Sequence, residues 1–145
     1  MPALYRFGHG LSYTAWAYAN LRVAPRAAPP GVDRVVTVDV TNTGRRVASD
    51  HAVLVFATPP PGSGDDAPVR VLAGFAKLKG VAPGATATAR VRVAAAAFAH
   101  ALGGAAQKRP VVGAWRVRVG GGAEEEGGAG EVVATLCVGG ACGGV

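Results

Sequence analysis

From Asp33 to Gly44 the chain reads DRVVTVDVTNTG, with Val36, Val38 and Val40 on one face and Thr37, Asp39 and Thr41 on the other. Strict period-two alternation predicts a half-buried strand, and Asn42-Thr43-Gly44 predicts the turn that ends it. The same test, applied along the chain, predicts further strands. Thr14–Val23 alternates loosely, with Trp16 and Tyr18 on one face, and His51–Thr58 (HAVLVFAT) is β-rich. Val69–Val81 is extended, with Leu72 and Phe75 as anchors, and Thr86–Val93 (TATARVRV) alternates cleanly. VVGAWRVRVGG is led by Trp115, and EVVATLCVGG is the last strand. Only Ala94–Leu102 (AAAAFAHAL), rich in the best helix former, predicts a helix, of about two turns; Gly103 and Gly104 end it.

Turn signals separate these runs. APRAAPPG (Ala24–Gly31) and PPPGSGDDAP are loops that cannot hold a helix, and Ala82-Pro83-Gly84 has the Pro-Gly order of a type II turn. GGGAEEEGGAG predicts a flexible acidic hairpin loop. About seven short strands with turns between them predict an all-β fold, an antiparallel sandwich of immunoglobulin or fibronectin type III style with one short helix. Its expected core is Trp16, Val38, Val40, Leu54, Phe56, Leu72, Phe75, Trp115 and Val117. Residues 14–145 form the sandwich, and residues 1–13 form a leader before it.

Composition sharpens this picture. The 145 residues suit one domain, and half are hydrophobic, but few of those are large. Each Trp, Phe, Tyr and Leu therefore carries a large share of the buried area. The 22 glycines and 10 prolines fit many turns rather than helices. Lys and Arg number 15 against 9 Asp and Glu, a net charge of +6. Arg90 and Arg92 flank Val91, and Arg116 and Arg118 flank Val117, so these charges are expected to point outward on solvated strand faces. No specific nucleic-acid partner is expected; a weak charge-driven one would show steep salt dependence. No apolar run is long enough to span a membrane, and no secretion signal opens the chain. Cys137 and Cys142 lack the further ligands of a metal site; a disulfide-closed turn and two free thiols both fit. Neither a metal nor another cofactor is expected.

Five motifs occur in order: Phe7-Gly8-His9-Gly10-Leu11-Ser12-Tyr13, Val40-Thr41-Asn42-Thr43-Gly44, Leu72-Ala73-Gly74-Phe75-Ala76-Lys77, Ala82-Pro83-Gly84, and Trp115-Arg116-Val117-Arg118-Val119-Gly120. The series resembles the C-terminal fibronectin type III-like domain of glycoside hydrolase family 3, in which F-G-x-G-L-S-Y leads out of the catalytic domains. The HAVLVFATPP…APVRVLAGF stretch is most similar to the β-xylosidase and α-L-arabinofuranosidase branch. The resemblance implies a non-catalytic accessory module that braces catalytic domains of a parent glycosidase, on the xylan or arabinoxylan side, in an extracellular or cell-wall setting. It makes Tyr5, Phe7, Gly8, His9, Gly10, Leu11, Ser12 and Tyr13 an interdomain strap. From the residues alone, folding of this segment back onto its own core is the alternative, since aromatics dominate core and interface energetics alike. The abrupt start inside a motif fits a fragment or a short protein.

No catalytic residue of that family can be carried onto this sequence, because its two carboxylates lie upstream of this module. Asp65, Asp66 and Glu124–Glu126 sit in glycine-flanked loops, which do not hold carboxyls at the fixed separation that glycoside hydrolysis needs. His9, His51 and His100 form no Ser-His-Asp order and no H-E-x-x-H spacing, and are expected to be packed or exposed. Trp115 is expected in the core rather than as a sugar platform, although a weak polysaccharide contact is compatible with the fold. A stand-alone carbohydrate- or protein-binding sandwich is the alternative function, since fold does not decide function.

Overall fold

The computed structural model describes residues 10–101, 107–120, 130–140 and 142. Seven strands of seven residues or more carry the fold: β1 (Trp16–Ala24), β3 (Arg34–Asn42), β4 (Ser49–Thr58), β5 (Val71–Val81), β6 (Thr86–Val93), β9 (Gly113–Val119) and β10 (Val132–Val138). Three two-residue strands join them: β2 (Ala27–Ala28), β7 (Ala99–His100) and β8 (Arg109–Pro110). One sheet has the order β1-β3-β6 and the facing sheet β2-β10-β9-β4-β5, with β7 and β8 as a separate ribbon. All pairings are antiparallel except β2 beside β10, so the proline-rich loop contains a strand that the sequence pattern does not show.

The core is the sum of inward alternations. Val36, Val38 and Val40 of β3 and Ala89, Val91 and Val93 of β6 face Val53, Val55 and Ala57 of β4, Trp115, Val117 and Val119 of β9, and Leu136 and Val138 of β10. Trp115 is fully buried and donates its indole N–H to the Val111 carbonyl at 2.9 Å. The inward face of β3 does not end in apolar residues. Buried Arg34 stands at one end and buried Asn42 at the other, so two polar side chains close the ends of a valine row. The Arg34 guanidinium donates to the carbonyls of Val32, Ala28 and Cys137, fastening β3 to the β2–β10 edge. Burial pulls its pKa down, against the pull of Asp33.

Several expectations change. Leu72 is 42% and Phe75 71% exposed, so neither is a core residue. Leu54 is half-buried, because Val53, Val55 and Ala57 take the inward positions of β4 and leave it on the outer face. Trp16 is half-buried and packs against the core from its margin. Phe56 is buried although it shares the outer phase of β4; the Arg70 guanidinium lies over its ring at 5.1 Å, and Leu72 and Arg118 stand opposite it on the flanking strands. Arg118 is not a solvated charge: it is buried and pairs with Glu131 at 3.3 Å. The alanine run forms a single 3₁₀ turn, Ala95–Phe98, then returns to strand. Alanine's helix preference is a few tenths of a kcal/mol per residue, about an order of magnitude less than burying a phenylalanine. Phe98 is buried edge-on against Trp115 at 5.1 Å between ring centroids, and a continued helix would pull the chain away from β8. The Asp33 carboxylate accepts the Ala95 N–H and holds the turn at its start.

Candidate functional site

The segment entering β1 shows how the predicted strap is held. Ser12 and Thr14 alternate with Leu11 and Tyr13. The first pair is tied to the sandwich, and the second is 98% exposed. The Ser12 hydroxyl accepts the Trp16 indole N–H at 3.0 Å. The Thr14 hydroxyl donates to the Asn42 side-chain carbonyl at 2.6 Å. Folding back onto the core is therefore not the arrangement of Leu11 and Tyr13. Gly10 is also exposed, with open space around it. Tyr5, Phe7, Gly8 and His9 lie outside the described residues.

Asn42 is the organising residue of this end. Its amide donates to the carbonyls of Val47 and Val81 at 3.0 and 2.9 Å, while its oxygen accepts from Thr14 and from the Gly44 N–H at 3.0 Å. Its backbone N–H and C=O bind Ala85 and Gly84. The Ala82–Ala85 turn closes with a 3.0 Å bond, and Gly84 at φ 76° supplies the left-handed position that a type II turn requires. One asparagine thus joins the strap, two turns and the end of β5. The V-T-N-T-G signal was visible in sequence, but its role depends on four partners up to 39 residues away.

Beside it, Trp16 stacks on His51 with ring centroids 4.2 Å apart and planes 22° from parallel. The Tyr18 hydroxyl meets His51 Nε2 at 2.5 Å. Burial raises the Tyr18 phenol to about 12 and pulls His51 down. The phenol keeps its proton at neutral pH, and its hydrogen bond with His51 is a structural contact rather than an acid–base pair for solvent-borne substrate. His100 is buried on β7 rather than on a helix, 5.3 Å from the Trp115 ring. Asp65 and Asp66 are exposed on their loop, and Glu124–Glu126 lie outside the described residues. Among the described residues no three of His, Cys, Asp and Glu converge on a common point. Cys137 and Cys142 are joined in a disulfide, which decides between the two states left open by sequence.

Comparison with known proteins places this arrangement. The family model for the fibronectin type III-like domain matches residues 51–123. The chain belongs to the fibronectin type III-like domain family. Among relatives of this domain, a probable β-glucosidase I of Neosartorya fischeri is 43% identical over 82 residues, 54% of this chain and 10% of that protein. A β-glucosidase of Rhizobium radiobacter is 40% identical over 92 residues, 63% of this chain and 11% of that protein. Among solved structures, β-glucosidase 3B of Thermotoga neapolitana superposes with a TM-score of 0.73 at 27% identity, over 94% of this chain and 17% of that one. The β-D-glucoside glucohydrolase of Trichoderma reesei does so with a TM-score of 0.73 at 26% identity, over 93% of this chain and 20% of that one. The fibronectin type III-like domain thus spans between a tenth and a fifth of the length of these proteins.

Proposed function

We propose that this fibronectin type III-like domain is the non-catalytic accessory part of a family 3 glycoside hydrolase. In this reading its N-terminal strap, residues 1–13, lies against the catalytic domains and braces them. The observation that carries it is the alternation at the strap: Ser12 and Thr14 bind the sandwich while Leu11 and Tyr13 stay 98% exposed. Large side chains presented outward on a segment anchored through its neighbouring Ser12 and Thr14 side chains have less entropy to lose on docking. Tyr5, Phe7, Gly8, His9 and Gly10 complete the strap. The relatives' names support a parent that cleaves β-glucosides, and give the xylan and arabinoxylan side no comparable support. The Cys137–Cys142 disulfide supports an oxidising, extracellular setting. A polysaccharide contact has less behind it, since Trp115 is buried and Trp16 is occupied by His51.

The test is an assay of the pure chain on nitrophenyl β-glucoside, β-xyloside and α-L-arabinofuranoside, alone and with a family 3 catalytic fragment. Silence alone, with a gain in the fragment's activity or heat resistance, is the expected outcome. Turnover by the pure chain that disappears on substituting one acid would overturn the reading. Silence in both arms would favour a binding module.

A further inference from the structure

The L-A-G-F motif is absorbed neither by the core nor by the strap. In β5, Leu72 and Phe75 are three residues apart, so in a regular strand they would face opposite sides. Here they face the same side. Gly74 pairs with Val55 and Leu72 with Phe56, so one extra residue, Ala73, is inserted opposite consecutive positions of β4. Bulges of this kind re-aim side chains. Gly74 makes the arrangement possible from the other side. A Cβ there would stand 2.8 Å from a Val91 methyl and 3.0 Å from the Arg92 carbonyl, so β6 closes against β5 only over a glycine. The backbone thus turns both large apolar side chains of the motif out of the sandwich.

The result is an apolar patch on the outer face of the five-stranded sheet. Phe75 pairs with half-buried Leu54, and Leu72 with Phe56. The same outward row continues into exposed Lys77 and Lys79, and Lys77 is bridged to Asp50 at 3.0 Å. A patch that costs a bulge to build and remains exposed marks an interaction surface.

We infer that this patch, centred on Phe75 and Leu72, is the sheet face that docks on the catalytic body of the parent glycosidase, into an apolar depression bordered by carboxylates. The inference rests on the accessory-domain reading above. Two observations choose this occupant. In the relatives and solved neighbours the sandwich accompanies a body several times its own length on the same chain. Lys77 is already met by Asp50, but Lys79 at one end of the patch and the Arg70 guanidinium over Phe56 at the other, on a chain of net charge +6, complement acidic rather than basic surroundings.

The experiment replaces the matched segment of the Rhizobium radiobacter β-glucosidase with this whole chain and compares half-lives of activity at elevated temperature. The grafts are wild type, Leu72→Ser with Phe75→Ser, Phe75→Lys alone, and Arg90→Ser on the opposite sheet as control. The wild-type and control grafts outlast an enzyme lacking the segment. Both patch variants lose that gain by about tenfold or more, as expected for interface anchors. Circular dichroism of the isolated variants reports unchanged melting, because these side chains are exposed before docking. If the wild-type graft gives no gain, the accessory-domain reading fails and the docking face with it. If all grafts gain equally, the docking face alone is overturned. Patch-dependent dimerisation of the isolated chain, or Phe75-dependent retention on insoluble β-glucan, would overturn it in favour of a second copy or a glycan.

Discussion

Replacing Asn42 tests whether one side chain joins the strap to the sandwich. The Asn42 side chain is fully buried and uses all four of its hydrogen-bonding positions, as donor to Val47 and Val81 and as acceptor from Thr14 and Gly44. A typical intramolecular hydrogen bond is worth about 1 kcal/mol net, and a buried partner left unsatisfied costs about 1–3 kcal/mol. Thr14 and Gly44 are only partly buried and can rebind water, whereas the Val81 carbonyl is held in a buried bond. Asn42→Ala is therefore expected to cost about 3–5 kcal/mol, a large part of a domain's usual stability of about 5–15 kcal/mol. Asn42→Asp keeps the size but sets a carboxylate oxygen against two carbonyl oxygens. It should cost at least as much at neutral pH and recover partly in acid, where the protonated carboxyl regains a donor. Thr41→Ala, which removes only the exposed Thr41–Thr86 hydroxyl contact, is the matched control and should cost under about 1 kcal/mol. Urea unfolding followed by tryptophan fluorescence measures all three. An Asn42→Asp protein within about 1 kcal/mol of wild type at neutral pH would refute the reasoning, because no rearrangement replaces two buried donors that cheaply.

Two further predictions follow from buried charge. His100 has no hydrogen-bond partner for Nε2 among the described residues, and burial together with the nearby Lys108 charge lowers its pKa below 6.5. Burial lowers His51 as well. For both, the unfolded chain takes up protons first, so their stability is complete above about pH 6.5 and is lost as pH falls below it. Melting temperature should drop between pH 7 and 5.5, and His100→Phe should flatten part of that slope; an unchanged slope would count against His100. The Asp33, Asp39 and Asp50 carboxyls are held below 3.8 by hydrogen bonds, so their contribution is lost only at lower pH. Glu131→Ala should cost about 1.5–3 kcal/mol, the worth of a hydrogen bond to a charged group, because it removes one of the contacts that meet the buried Arg118 charge; unchanged urea unfolding would show that this pair adds nothing to stability.

What could be read from sequence follows physical locality. The β3 valines were legible because one face of a strand announces itself in a dozen residues, and the Ala82–Ala85 turn because Pro and Gly specify it locally. Leu72 and Phe75 were misplaced because their direction is decided by an inserted residue opposite β4 and by the approach of β6, neither of which leaves a mark in the motif. The alanine run was misplaced because propensity is weak against the burial of Phe98 on Trp115. Arg118 and Arg34 look like solvated charges in sequence, and only the fold supplies Glu131 and the three carbonyls that make burial tolerable. At the candidate site, Leu11 and Tyr13 were singled out by motif. Asn42 lies in the V-T-N-T-G motif and His51 opens a predicted strand, but the role of neither was legible, because Thr14, Val81 and Tyr18 are distant in sequence.

Hydrogen exchange read by mass spectrometry, on the free chain and on the same chain grafted into the Rhizobium radiobacter β-glucosidase, tests the central claim most directly. If the strap lies against a catalytic body, amides around Leu11–Tyr13 exchange freely in the isolated domain and become protected in the grafted enzyme. Exchange there that is equally fast in both would contradict the account and leave the strap without a partner.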